Sequence, residues 1–63
     1  MELTLEQKKA MVKQRIQQYG QILFSLEMDK TANLAIENTE EVARIENKIE
    51  EVRKAQKAVE GLI

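Results

Sequence analysis

The chain contains no cysteine, no histidine and no proline, two glycines, and two aromatic residues, one tyrosine and one phenylalanine, in 63 residues. Each absence closes a class of explanation. Without cysteine there is no disulfide framework and no thiol nucleophile, and without either cysteine or histidine the soft metal ligands and the usual catalytic base are missing. The lack of cysteine also fits a reducing compartment. No Gly-rich phosphate loop or Gly-x-Ser-x-Gly elbow occurs, and the Glu-x-x-His element that supplements carboxylates in bundle metal sites is missing. The chain therefore reads as non-enzymatic, with no catalytic residue, no metal and no cofactor. No apolar run approaches the roughly 18 residues that span a bilayer, and the acidic start Met1-Glu2 is unlike a signal peptide. We expect no membrane partner and a cytoplasmic protein.

Length sets the next bound. Sixty-three residues make one domain, and ordering them costs on the order of 95 kcal/mol at about 1.5 kcal/mol per residue. Chains of this size offset that cost with disulfides, a metal or further subunits. With the first two excluded, self-association is the expectation, with another protein as the alternative partner.

What is abundant points to helix. One third of the residues are charged, and Ala, Leu, Glu, Lys, Gln and Arg dominate, all strong helix formers. No alternating β-branched stretch or Asn-Gly turn offers a strand. Thr4-Leu5-Glu6-Gln7 fits a capping box and predicts a first helix over about 5–37. Asn38-Thr39-Glu40-Glu41, with two carboxylates where the helix dipole favours them, predicts a second over about 40–60, which Gly61 should end as a left-handed cap. A connection as short as 37–39 favours an antiparallel pair. The expected fold is all-α, a single antiparallel two-helix hairpin over 1–63 resembling a coiled coil and associating into a bundle. One unbroken helix is the rival, because Asn and Thr are weak breakers.

The second helix carries the clearest pattern. Val42, Ile45, Ile49, Val52, Gln56 and Val59 alternate spacings of three and four, the mark of a coiled-coil seam. Gln56 interrupts it, as a register-fixing polar residue does. In the first helix Val12, Ile16, Tyr19, Leu23 and Leu26 continue the seam, after which Lys30 and Asn33 take apolar positions. At 100° per residue, Ile22 and Ile36 widen the seam, whereas Phe24 and Met28 fall nearly opposite Leu26. A hairpin covers only one of these faces, so Phe24 and Met28 are candidates for a partner face. Gly20, one turn before Phe24, marks either a close crossing or a tolerated weak point.

Charge divides the chain. Residues 1–20 hold Lys8, Lys9, Lys13 and Arg15 against Glu2 and Glu6, a net of +2, while residues 21–63 total −3. The basic end is a second candidate surface, suited to an acidic partner or the acidic body of another copy. Four basic residues without flanking aromatics, in a slightly acidic whole, are a weak nucleic-acid signal, so a nucleic-acid partner is not the expectation.

Two resemblances add to this. The stretch Asn38 to Glu60, with Thr-Glu-Glu-Val-Ala-Arg-Ile-Glu opening into Val/Ile heptads, resembles the second helix of small helical-hairpin proteins encoded by tailed bacteriophages. Glu2-Leu3-Thr4-Leu5-Glu6-Gln7 resembles the start of the NblA family, small hairpins that lead phycobilisomes to proteolysis. Both imply a hairpin that oligomerises and works by occupying a surface, in a structural or assembly role or as a regulatory binder.

Overall fold

A computed structural model describes residues 2–63. It contains two helices, α1 (Leu5–Ala35) and α2 (Thr39–Glu60), packed against each other in a rod with extents of 52 × 15 × 15 Å. No strand occurs among the described residues. The turn between the helices rules out a single unbroken helix.

Helix α1 starts on a complete capping box. The Thr4 hydroxyl accepts from the Gln7 amide at 3.1 Å, and the Gln7 side-chain oxygen accepts from the Thr4 amide at 2.8 Å. Two amides that a helix start leaves without partners are thus satisfied. The helix closes at Ala35 rather than 37. Ile36 is the C-cap, and Glu37 adopts a left-handed backbone with φ 57. The Glu37 amide donates to the Leu34 carbonyl at 3.1 Å, and the Asn38 amide to the Asn33 carbonyl at 2.9 Å. This is a Schellman closure. Its left-handed position is normally glycine's, since a Cβ there costs about 1 to 2 kcal/mol. Glu37→Gly should therefore stabilise the hairpin by about 0.5 to 1 kcal/mol, after subtracting glycine's larger unfolded-state entropy. A urea midpoint at fixed concentration reads this, and a fall in midpoint would contradict it.

Helix α2 begins one residue before the expected Glu40. Asn38 serves as its cap, its side-chain oxygen accepting from the Glu41 amide at 3.3 Å. At the far end Gly61 corrects an expectation, for its φ of −70 and ψ of −7 are right-handed. The Gly61 amide donates to the Lys57 carbonyl at 3.2 Å and the Leu62 amide to the Val59 carbonyl at 3.1 Å. The last turn simply tightens.

The core is one stripe. Val42, Ile45, Ile49 and Val52 are its only buried residues among those described, and all lie on α2. Facing them, Val12, Ile16, Tyr19, Leu23 and Leu26 of α1 are half-buried, as are Lys30 and Asn33. Gln56 and Val59 are half-buried where α2 ends. Lys30 reaches Glu46 at 3.6 Å and Glu27 reaches Arg53 at 4.0 Å, pairs that bridge the helices in antiparallel order. Asn33 turns its side-chain amide back onto the Asp29 carbonyl at 2.8 Å.

Gly20 is exposed, and a Cβ built on it meets nothing within 4 Å. Within one hairpin no close crossing accounts for it. Gly20→Ala should raise stability by about 1 kcal/mol, the usual helix-interior difference. Thermal melting at one protein concentration checks this, and a lower melting temperature would mean that another chain approaches there.

Candidate functional site

With so few residues covered, the functional features of the hairpin are its open surfaces. Among the described residues ten large apolar side chains stand exposed, and all but Leu62 and Ile63 precede α2. The candidate partner residues fall into two separate places, which the fold does not bring together.

The first is the outward face of α1. Phe24 is 62% exposed and Met28 53%. Together with Glu27, Thr31 and Ala32 they line a shallow groove on the side away from α2. Their place follows from helix geometry, for 100° per residue carries positions 24 and 28 opposite the stripe that meets α2.

The second is the open end of the rod, where α2 stops at Glu60 and α1 continues to Leu5. Leu3, Met11 and Val12 line an apolar groove there with Val59, Leu62 and Ile63, and Lys8 and Arg15 edge it. On the other flank Lys9 and Lys13 border a groove shared with Val12, Ile16, Gln17, Glu60 and Ile63. All four basic side chains are exposed. Their charge is thus set around an apolar floor rather than along a bare helix.

The exposed Leu3, Leu5, Met11 and Leu62 were not singled out by sequence reasoning. The length mismatch signalled only that the start of α1 lacks cover; Leu3 and Leu62 lie outside both helices, and their place beside it was not legible. Ile22 and Ile36 flank the seam but remain 44% and 71% exposed. Ile36 has already left the helix as its cap.

Charge elsewhere is local. Arg44 pairs with Glu41, its Nε donating to the two carboxylate oxygens at 3.0 and 3.1 Å. That hydrogen bond holds the Glu41 carboxyl below its ordinary value and the guanidinium above its own. A lowered carboxyl means that this contribution to the start of α2 is present above the ordinary carboxylate range and fades as pH falls through the folded value. Lys48 and Glu51 pair at 3.6 Å on the surface. No group of three or more acidic side chains converges to hold a metal ion among the described residues. None of the described helices is long and apolar enough to cross a membrane. No protein-family model, no curated protein and no solved structure matches this chain.

Proposed function

We propose that this chain is a non-enzymatic protein-interaction module, a hairpin that associates with copies of itself and serves as a small assembly or accessory part in the cytoplasm. One observation carries the reading. The hairpin exposes 5325 Å² for a mass of 7.3 kDa, whereas a folded monomer of that mass exposes about 4,200 Å². The excess, about 1,100 Å², is more than the roughly 800 Å² that one partner buries in a stable complex. The apolar residues needed to fill such an interface are already outside. Sedimentation equilibrium across a concentration series, with helicity followed on the same samples, tests this. The expected result is a defined oligomer whose helicity falls on dilution, because folding and association are then one event. A folded monomer at every concentration overturns it.

A second reading, a regulatory binder of a different protein, draws on the open end. Lys8, Lys9, Lys13 and Arg15 surround apolar residues there, the arrangement that receives an acidic amphipathic helix. Replacing the three lysines by Gln should leave helicity intact while weakening capture of such a partner several-fold at low salt and little at high salt. An unchanged salt dependence removes the basic end from consideration. Both readings accord with the resemblance of residues 38–60 to phage-encoded hairpins, which would place the protein in a host cytoplasm or a virion.

A further inference from the structure

We propose that the outward face of α1 is the seam of an antiparallel homodimer, two hairpins packing α1 against α1 about a twofold axis between Phe24 and Ser25. The inference rests on the self-association reading and adds the surface, the direction and the register.

The first observation is an absence of charge. One third of the chain is charged, and the outward face of α2 shows it, with Glu40, Glu51 and Lys54 exposed there. The centre of the corresponding face of α1, between residues 14 and 35, holds no Asp, Glu, Lys or Arg although its positions are exposed; Glu27 borders the groove beside Phe24 and Met28, at the edge from which it pairs with Arg53 of α2. Interface cores are depleted of charge in this way, whereas solvated helix faces are not. A face without charge also carries nothing to select a foreign partner by sign, which leaves shape.

Shape favours a second copy. Gln14, Gln17, Gln21, Phe24 and Met28, continued by Thr31 and Ala35, alternate spacings of three and four, so they form a second stripe of coiled-coil period behind the one that meets α2. When this stripe is laid antiparallel on itself about the stated axis, Gln14 opposes Ala35 and Gln17 lies level with Ala32, each a long side chain against a short one. Gln21 meets Met28, which are of similar length, and at the axis the two Phe24 rings lie about 1.5 Å apart in level and pack beside each other. In a parallel pairing long meets long and short meets short along the whole stripe, with gaps at Ala32 and Ala35. A stripe complementary to its own reverse is what a twofold interface requires. At 1.5 Å per residue it runs for about 32 Å, most of the rod, so its burial accounts for a large part of the surface excess.

Because the chain has no native cysteine, single cysteines report the register directly. We would mix Gln21→Cys, carrying an affinity tag, with untagged Met28→Cys and oxidise the mixture. In the antiparallel arrangement residues 21 and 28 of opposite chains share a layer. Two copies of residue 21 are instead about 10 Å apart along the axis, beyond the Cα separation of about 7 Å that a disulfide spans. The expected product is the mixed disulfide, at least tenfold over either homodimer. Predominant linkage of Gln21→Cys to itself means parallel chains and overturns the proposal. Absence of any linkage in a sample that sediments as an oligomer also overturns it, and leaves self-association through another face. A wild-type chain that sediments as a folded monomer instead removes the self-association reading, and with it this one. As a second variant, Phe24→Asp should weaken dimerisation at least 100-fold, whereas unchanged oligomer mass would contradict the assignment.

Discussion

Ile49→Asp should leave the chain largely unfolded at concentrations where the wild type is fully helical. Ile49 is 7% exposed and one of only four buried residues among those described. Removing its side chain costs about 2 to 5 kcal/mol through lost burial and the space left behind, and an uncompensated charge in such a site adds about 3 to 5 kcal/mol. A core of this size supplies at most about 3 to 5 kcal/mol of stability before any help from association. The penalty therefore exceeds what there is to lose. Ile49→Leu, which conserves volume, should cost less than about 1.5 kcal/mol. The informative control is Ile36→Asp, because Ile36 is as apolar but 71% exposed, and there the change should stay within about 0.5 kcal/mol. Circular dichroism and urea midpoints distinguish the three. If Ile49→Asp kept the wild-type midpoint, the stripe between the helices would not be what holds the hairpin together. A large loss for Ile36→Asp would place that residue in a contact between chains.

The fold was legible because helical sequences write their geometry in short range. Thr4 and Gln7 sit at the spacing a capping box needs, and they form one. Val42, Ile45, Ile49 and Val52 fall on one side of any helix, and that side is what α2 turns toward α1. The failures came where local chemistry departs from its usual residue. A left-handed helix closure is ordinarily signalled by glycine. This chain places it at Glu37 and keeps Gly61 in the right-handed region, so the glycine signal pointed to the wrong end. For that reason α1 closed two residues before the expected 37, whereas α2 began one residue before the expected 40 and ended at Glu60 as expected. Surfaces were half legible. Periodicity separates Phe24 and Met28 from the seam, because the separation is a matter of angle alone. The apolar floor beneath Lys8 and Arg15 was hidden, because Leu3, Met11, Val59 and Leu62 are distant in sequence and meet only once the chain has reversed. Resemblance to known hairpins speaks to style rather than surface, since any coiled coil shares the three-and-four spacing.

The opposite result, a large gain, is expected from repairing the seam. Lys30, Asn33 and Gln56 occupy half-buried positions in the line of apolar residues between the helices. Lys30→Leu, Asn33→Leu and Gln56→Leu together should raise stability by about 2 to 4 kcal/mol, near 1 kcal/mol or slightly more per site, from apolar surface placed against apolar neighbours. None of the three leaves a costly orphan. Glu46, which loses Lys30, has a side chain 54% exposed and is solvated by water, so the penalty for stripping a partner from a buried ion does not arise. Asn33 spends its amide on the Asp29 carbonyl at 2.8 Å, and that carbonyl already belongs to a helical turn. The gain carries a loss of definition. A polar residue in a seam matches only certain alignments of the opposing helix, whereas an all-aliphatic stripe accepts several, and oligomer number loosens with it. The triple variant should therefore melt at higher urea while its sedimentation profile broadens beyond the single wild-type species. A higher midpoint with an unchanged, single mass would assign these residues to tolerated weakness. A lower midpoint would mean that the Lys30 and Glu46 pair at 3.6 Å holds the helices in register more strongly than three leucines can replace.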